Sequence, residues 1–382
     1  MGDVRQALAL LPRGAITGIG SLPHTQMELA LQMALSVDVP YLPQLPAENP
    51  SELMVPAALE GLPGLHAGED GACTVDLGGW EAGRGELESR IDAAVRSGEA
   101  SSFLPGVNAA RALRPFLWEV RERKLAFAKA QLAGPATVRW SSRLSSGAPL
   151  SEHPGMDAQV FRLLLVRSLA LVQALRAAGA TAIFYLDEPG LYALDTTDPT
   201  HLAVLSELRL MVSALRREGA LVGLHCCGNT RWSALLDLGV DLLSFDVRLS
   251  LDAVLDEPRA VARFLDRGGA FSLGLVPTDL GQEADPDELA RAVETSFAAA
   301  LPDRPEALRH FVATPACGLA MRSVLEAERI FEQLRAARSA LLRSGSEACW
   351  ARLRLAQARQ RLAQQPVDSS RSACSQFSSS RP

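Results

Sequence analysis

The sequence has no excess of basic residues, no signal-peptide core and no uncharged apolar run long enough to cross a bilayer. Lys and Arg number 38 against 44 Asp and Glu, which gives a formal net charge of -6. A nucleic-acid-binding surface usually requires the opposite balance. The apolar run around 163–175 contains Arg167 and is shorter than the roughly 20 residues of a transmembrane helix. We therefore expect a cytoplasmic protein that binds neither nucleic acid nor membrane.

Cysteine is also scarce, with 6 residues in a chain of 382, and the spacing shows no disulfide framework. The paired Cys-x-x-Cys motifs of structural zinc sites are missing as well. In a reducing compartment, such cysteines matter for metal binding or reactivity rather than for crosslinking. Cys73 and Cys349 are expected to pack as small apolar side chains, and Cys374 lies in a serine-rich tail.

What the sequence does contain is an alternation of short β-type runs with amphipathic helical segments. Strands separated by helices of this length predict βαβ units and a parallel sheet. Eight strands over roughly 340 residues favour an α/β fold of the (β/α)8 TIM-barrel type over an open doubly wound sheet. The predicted strands are 15–20, 40–44 and 126–132, with five more centred on Ile183, Val222, Leu242, Phe271 and Phe311.

The barrel is expected to form one domain over residues 1–343. Residues 47–115 are irregular and rich in turn residues, and they are predicted to be an insertion with a hairpin through Cys73 to Leu77. Residues 344–366, rich in Arg, Ala and Gln, are predicted to form an extra helix outside the barrel. Residues 367–382 are dominated by Ser, and such a composition predicts disorder.

Side chains that bind metals follow three of the predicted strands, at the end where barrel enzymes place their chemistry. His225 and Cys227 end one strand and share a face because they are two residues apart. Asp246 ends the next strand, and Cys317 ends the last. Imidazole and thiolates select zinc among the common metals, so we predict a Zn²⁺ site with Asp246 as a candidate oxygen ligand. Cys226 points to the opposite face and is expected to pack.

Two further motifs stand at strand ends. Asp187 and Glu188 are adjacent carboxylates, and alternation along the strand lets only one of them face the barrel mouth. We predict a catalytic role for this pair, in which Asp187 binds a substrate amino group; the alternative is a helix cap beside a solvated charge. The turn at 18–23 offers backbone groups to a ligand, but Pro23 and the missing third glycine exclude a dinucleotide site.

Together these motifs resemble the catalytic domain of cobalamin-independent methionine synthase. More broadly, they are similar to the superfamily that this enzyme shares with uroporphyrinogen decarboxylase and the methylcobamide:thiol methyltransferases. The matching motifs occur in the family's order and lie within residues 14–343. They are Ile19-Gly20-Ser21, Leu186-Asp187-Glu188-Pro189, His225-x-Cys227-Gly228-Asn229 and Pro315-x-Cys317-Gly318-Leu319. Two other strings, 43–46 and 60–64, resemble short single-domain relatives.

The resemblance implies roles for individual residues. His225, Cys227 and Cys317 match zinc ligands, while Asp246 stands at the strand position where methionine synthases use a glutamate. Asp187 matches the carboxylate that holds the amino group of the substrate. The remaining residues that match substrate contacts are Ile19, Gly20, Ser21 and Asn229.

The sequence also departs from the methionine synthases. Its length leaves no room for the second, N-terminal barrel of those enzymes. Residues 274–278 also lack the histidine that the methionine synthases have on the folate side of their site, after the seventh strand. The expected activity is therefore transfer of a methyl group to a zinc-activated thiol such as homocysteine, from a corrinoid protein or a methyl-folate.

Three alternatives remain open. The first is a methylcobamide:thiol methyltransferase of the coenzyme M type. The second is a metal-free barrel like uroporphyrinogen decarboxylase, which needs arginines at the carboxyl ends of the first strands; here Arg5 and Arg13 precede the first strand. The third is a non-catalytic accessory protein of a corrinoid pathway.

Overall fold

The computed structural model describes residues 8–279, 285–304 and 307–344. Its strands are β1 (Ala15–Ile16), β2 (Leu65–Ala67), β3 (Cys73–Val75), β4 (Phe127–Ala133), β5 (Arg143–Leu144), β6 (Thr181–Asp187), β7 (Leu221–His225), β8 (Leu242–Asp246), β9 (Ala270–Val276) and β10 (Phe311–Pro315). Its α-helices are α1 (Met27–Leu35), α2 (Met54–Leu59), α3 (Leu77–Ser97), α4 (Leu113–Glu122), α5 (Pro135–Ser141), α6 (Pro154–Ala177), α7 (Pro199–Arg217), α8 (Trp232–Leu236), α9 (Val247–Leu255), α10 (Pro258–Asp266), α11 (Pro286–Ala300) and α12 (Val324–Ser344).

Seven strands form one parallel sheet in the order β1-β10-β9-β8-β7-β6-β4. From β6 to β10, helices separate consecutive strands, and each strand pairs with the next one along the chain. This arrangement confirms the α/β class and the parallel sheet predicted from the alternation of strands and helices, and it gives a half-barrel of the TIM type. The sheet accounts for seven of the eight predicted strands.

The predicted strand at 40–44 appears as isolated bridges instead of a regular strand. Tyr41 bridges to Lys129 of β4, and Gln44 bridges to Ser21 after β1. The backbone N–H of Leu42 donates to Lys129 O at 2.9 Å. Prolines at positions 40 and 43 have no N–H to donate, and proline interrupts the hydrogen-bond ladder of a regular strand for that reason.

All seven strands of the sheet contribute to a small apolar cluster, which lies on the inner face of the half-barrel. Ile183 and Tyr185 of β6 belong to this inner cluster, whereas Phe184 and Leu186 belong to the larger core between sheet and helices. Because side chains alternate along a strand, Asp187 falls on the inner face. The inner cluster is Leu8, Leu11, Ala15, Val39, Phe127, Ile183, Tyr185, Leu221, Leu242, Ala270 and Val312.

Residues 47–115 contain a hairpin, as predicted, but it is formed by β2 and β3, and Leu77 of the predicted hairpin is the first residue of α3. β2 and β3 pair antiparallel, and β3 also pairs parallel with the short β5. Arg167 of α6 is buried and donates to the carbonyls of Ala58 at 2.5 Å and Glu60 at 2.7 Å. These bonds satisfy backbone groups at the end of α2 and tie the insertion to a barrel helix.

α6 is also long and apolar enough, by length and composition, to cross a membrane. However, 56% of its most apolar 18-residue window is buried inside the protein, and the helix packs on β4 and β6. A core helix has the same composition, so this feature is weak evidence for a membrane span. The predicted tail at 367–382 lies outside the described residues, and so does the predicted extra helix at 344–366 apart from its first residue.

Candidate metal centre

The carboxyl ends of β7 and β10 bring three metal-binding side chains together. His225 is the last residue of β7, Cys227 follows two residues later, and Cys317 stands two residues beyond the end of β10. One ligand atom from each of these residues lies within 4.8 Å of the other two. Parallel strands end on one edge of their sheet, which is why residues some 90 positions apart meet here. These are the three residues that the sequence predicts to be metal ligands.

The imidazole of His225 is buried, with 3% of its surface exposed. Its Nδ1 lies 2.9 Å from the hydroxyl oxygen of Ser244 on β8, whereas Nε2 is buried and has no hydrogen-bond partner. A buried polar atom left without a partner costs roughly 1–3 kcal/mol. The unpartnered nitrogen, together with two neighbouring thiols, therefore fits a metal ion that prefers nitrogen and sulfur donors.

The two thiols interact with each other. The Cys317 thiol donates a hydrogen bond to the Cys227 sulfur and thereby lowers the pKa of Cys227. The same bond raises the pKa of Cys317, and burial raises it further. Cys227 is therefore the first of the pair to become a thiolate. A metal ion would need both sulfurs deprotonated.

Cys226, between His225 and Cys227, is buried in the outer core as predicted. Its thiol donates to the carbonyl of Gly228 at 3.4 Å. Burial raises the pKa of this thiol to about 12. Cys226 therefore contributes to core packing, and its substitution is a useful control for substitution of a cysteine in the metal-binding group.

Asp246 does not join the group, although the sequence offers it as a fourth ligand. Its Oδ1 accepts hydrogen bonds from the backbone N–H of Arg248 at 2.8 Å and of Leu249 at 3.3 Å. These bonds cap the N-terminus of α9, where the helix dipole favours a negative charge. The group that the structure assembles has three protein donors. Three is the number typical of catalytic zinc sites, which keep one position open.

Asp187, the predicted contact of a substrate amino group, lies beside the metal-binding group. It is the register partner of His225 across β6 and β7, and it is buried with Oδ1 unpartnered. Burial raises the pKa of this carboxyl to about 6, and the nearby charge of Lys129 opposes the rise. An unpartnered carboxylate oxygen in the interior can accept a hydrogen bond from a cationic ligand.

Glu188 faces away from the group and caps α5. Its carboxylate accepts hydrogen bonds from the N–H and hydroxyl of Thr137 at 2.7 and 2.6 Å and from the N–H of Ala136 at 3.0 Å. Burial raises the pKa of Glu188 to about 7 despite these bonds. Its predicted catalytic role has no support in this geometry, because both oxygens are engaged with the helix.

The turn at Ile19-Gly20-Ser21 packs against the loop that carries Cys317. The N–H of Leu319 donates to the Ser21 carbonyl at 3.0 Å, and a Cβ on Gly318 would clash with the Ser21 hydroxyl. A larger residue at position 318 would require the Ser21 hydroxyl to rotate away. The Ile19 carbonyl already accepts from Lys129, and the Gly20 carbonyl from the backbone N–H at position 44.

Asn229, the remaining predicted substrate contact, is exposed in the loop after Cys227. The structure gives its side chain no hydrogen-bond partner among the described residues. The turn at 19–21 and Asn229 thus remain predicted substrate contacts, the former beside Cys317 and the latter beside Cys227.

Two residues of the site are not predicted from the sequence. Lys129 is fully buried, and its ammonium donates to Ile19 O at 2.5 Å and to Gln131 Oε1 at 2.9 Å; it also lies 4.9 Å from the ring centroid of Tyr185. Burial lowers its pKa to about 8. A signal was available, because Lys129 is one of only two lysines in a chain rich in arginine. The other is Ser244, a hydroxyl in an apolar strand two residues before Asp246.

No protein-family model matches the sequence, and a comparison with curated proteins finds no match. Among solved structures, a methyltransferase from Methanosarcina mazei superposes with a TM-score of 0.53 at 16% identity, covering 88% of this chain and 97% of that one. A D-psicose 3-epimerase with D-fructose gives 0.31 at 12%, covering 60% and 91%. A D-psicose 3-epimerase with D-tagatose from Clostridium cellulolyticum H10 gives 0.29 at 11%, covering 60% and 92%. Most of the chain therefore shares the fold of the Methanosarcina mazei protein.

Proposed function

We propose that this protein is a zinc-dependent methyltransferase that methylates a thiol such as homocysteine. The observation that carries the proposal is the meeting of His225, Cys227 and Cys317 at the carboxyl ends of parallel strands, with a buried ring nitrogen left unpartnered. One imidazole and two thiols form a donor set that selects zinc. The Methanosarcina mazei structure with the same fold is described as a methyltransferase, which supports methyl transfer as the reaction class.

Zinc, when bound, supplies Lewis-acid chemistry that lowers the pKa of a coordinated thiol and so provides a nucleophilic sulfur at neutral pH. His225, Cys227 and Cys317 would hold the ion, and the two cysteinates offset its double positive charge. Because Asp246 caps α9, three protein donors would bind the ion and the substrate sulfur would be its fourth ligand. The substrate sulfur, which is both the nucleophile and the methyl acceptor, would thus bind at the carboxyl ends of the strands.

Asp187 binds the amino group of the substrate in this proposal. Its unpartnered Oδ1 lies on the inner face of β6, beside His225. A charge-assisted hydrogen bond to an ammonium group in this buried setting fixes the orientation of an amino-acid thiol. The turn at 19–21, packed on the Cys317 loop, forms the adjoining wall of the site.

Closure of the barrel is part of the proposal. Backbone groups of residues 39–44 form hydrogen bonds on both sides of this segment. Their partners are residues 16–22, in and after β1, on one side and Lys129 of β4 on the other. We assign this segment the position of the eighth strand, so that the site is a barrel mouth enclosed on all sides. An enclosed mouth excludes water from the reacting sulfur.

A methylated corrinoid or a methyl-folate is the proposed donor. The region after β9 bears on this choice, because Val276 is followed by Pro277 and Thr278 rather than by a histidine. By the resemblance, methionine synthases have a histidine on the folate side at this position, and its absence here favours the corrinoid.

A thiol without an amino group, as in coenzyme M-type methyltransferases, is the second candidate. The observation in its favour is Lys129, whose buried charge lowers the pKa of Asp187 and partly balances the carboxylate. A carboxylate whose charge is already compensated by a nearby lysine is stabilised less by a further cationic partner.

Thiol titration tests the proposal. Zinc-loaded protein is titrated with homocysteine in weak buffer while a pH indicator records proton release, and the metal-free protein serves as the control. The expected result is about one proton released per bound thiol by the zinc form alone. A zinc form that takes up no thiol would refute the mechanism.

A further inference from the structure

We infer that Gln44 binds the carboxylate of an amino-acid substrate, an inference that rests on the proposed function because it takes the substrate to be an amino-acid thiol. Gln44 belongs to the string at 43–46, to which the proposed function assigns no contact with the substrate. Its side chain is half-buried and lies against the turn at 19–21. The hydrogen bonds around it determine which end of its amide is available to a ligand.

The amide of Gln131 on β4 is oriented by two neighbours that leave it one arrangement. Its Oε1 lies 2.9 Å from the ammonium of Lys129, a group that only donates. Its Nε2 lies 2.9 Å from the carbonyl oxygen of Leu42, which only accepts. Exchanging the oxygen and nitrogen of this amide would break both bonds. The NH2 group of Gln131 therefore faces the segment at 39–44.

The amide of Gln44 is oriented in turn by Gln131. Nε2 of Gln131 donates its second proton to Oε1 of Gln44 at 3.3 Å. Two NH2 groups facing each other would both be donors without an acceptor, so the oxygen of Gln44 has to face Gln131. The NH2 group of Gln44 is therefore directed elsewhere. It has no hydrogen-bond partner among the described residues, and it is not one of their buried unpartnered atoms, so a ligand can reach it.

Both amides lie on the inner face of the sheet, next to the turn that the proposed function places in the wall of the site. Phe127 of β4 belongs to the inner cluster, and Gln131 lies four residues later on the same face. A Cβ on Gly20 would lie 2.5 Å from Nε2 of Gln131 and 3.0 Å from Oε1 of Gln44. The same turn packs against the loop that carries Cys317. The amide of Gln44 therefore lies at this wall of the site.

A carboxylate is the ligand group that this arrangement favours. The available NH2 group offers only donors, and an ionised carboxylate offers only acceptors. The ammonium of Lys129 stands at the start of the chain of hydrogen bonds, and its charge polarises both amides so that the NH2 group of Gln44 becomes a stronger donor. The amino group of the substrate binds Asp187 and its carboxylate binds Gln44, so two contacts orient the thiol.

Calorimetry on the zinc-loaded full chain compares L-homocysteine with 3-aminopropanethiol, which has the thiol and the amino group but no carboxylate. Gln44→Glu keeps an oxygen that accepts from Gln131 and replaces the NH2 group by a second acceptor. It is expected to weaken homocysteine binding about 10–100-fold and not to weaken binding of the aminothiol. Gln32→Glu, which adds the same charge at an exposed position of α1, should change neither affinity. The inference is overturned if Gln44→Glu binds homocysteine as tightly as the wild type, or if it loses both thiols equally.

Side-chain amide NMR of the metal-free wild type separates this inference from the proposed zinc chemistry. The NH2 signals of Gln44 are assigned by their loss in Gln44→Glu. L-homoserine, which has a hydroxyl in place of the thiol, is expected to shift these signals, and 3-aminopropanol, which lacks the carboxylate, to leave them in place. A wild type that binds no zinc would refute the proposed function, but a shift with homoserine alone would still support the carboxylate contact. Signals that homoserine does not shift would overturn the inference whatever the zinc result.

Discussion

The carboxylates of Asp187 and Glu188 lie on opposite faces of the parallel sheet. Asp187 faces the interior beside His225 with Oδ1 unpartnered, whereas Glu188 faces outward and accepts three hydrogen bonds at the N-terminus of α5. Consecutive residues on a strand point to opposite faces, so one pair of acids supplies one ligand-binding group and one structural cap. Substitution of Asp187 should therefore weaken ligand binding, whereas substitution of Glu188 should lower the free energy of unfolding.

Asp187→Asn is expected to weaken binding of homocysteine about 10–100-fold, because a buried charge-assisted hydrogen bond contributes roughly 1.5–3 kcal/mol. Binding of 2-mercaptoethanesulfonate, a thiol with no amino group, should change little. Calorimetry on the zinc-loaded variant measures both affinities. Equal losses for the two thiols would show that Asp187 does not recognise an amino group.

Glu188→Ala is expected to lower the free energy of unfolding by about 1–3 kcal/mol, because it leaves the N–H groups of Ala136 and Thr137 without acceptors inside the protein. Urea denaturation measures the loss. The zinc content of the folded variant should equal that of the wild type. A stable variant that has lost methyl transfer would instead restore the catalytic role predicted from the sequence.

Lys129 gives the protein a pH-dependent stability. Its pKa in the folded state is about 8, below the ordinary 10.5, so the unfolded chain binds more protons between these two values and stability rises with pH across this window. Relative to Lys129→Met, the wild type should therefore gain up to about 3 kcal/mol from about pH 8 to 10.5.

Urea denaturation of both proteins across that pH range measures the difference. The exposed Lys124, the other lysine of the chain, gives the control variant Lys124→Met. This variant keeps Lys129, so its stability should rise with pH in parallel with that of the wild type. A wild type and Lys129→Met whose stabilities run parallel with pH would contradict the assignment of a charged lysine to the barrel interior.

Asp246→Asn separates a helix cap from a metal ligand. Asparagine caps helices about as well as aspartate, so both the stability and the zinc affinity of this variant should stay close to those of the wild type. Loss of zinc from a well-folded Asp246→Asn protein would make Asp246 the fourth ligand, as its strand position suggests.

Features that depend on local pattern could be predicted from the sequence. The alternation of strands and helices predicts the parallel sheet, and a parallel sheet brings its strand ends together. His225, Cys227 and Cys317 could therefore be grouped although they are distant in sequence. The strand predicted at 40–44 forms only isolated bridges, because its prolines lack an N–H to donate.

Features that depend on a second element could not be predicted. A helix cap is one of two alternatives for the Asp187–Glu188 pair, but the sequence does not choose between them, and it indicates no cap at Asp246. Glu188 and Asp246 act as caps because the N-termini of α5 and α9 approach them. The contact of Ser244 with His225 depends on the register between β7 and β8. Lys129 binds a carbonyl 110 positions away in sequence.

Metal analysis of two cysteine variants tests the central claim most directly. Cys317→Ala removes one of the three converging donors, while Cys226→Ala removes a buried thiol that packs in the outer core. Purified wild type and Cys226→Ala are expected to hold about one zinc ion per chain after dialysis, and Cys317→Ala almost none. Zinc retained by Cys317→Ala at the wild-type level would contradict the account.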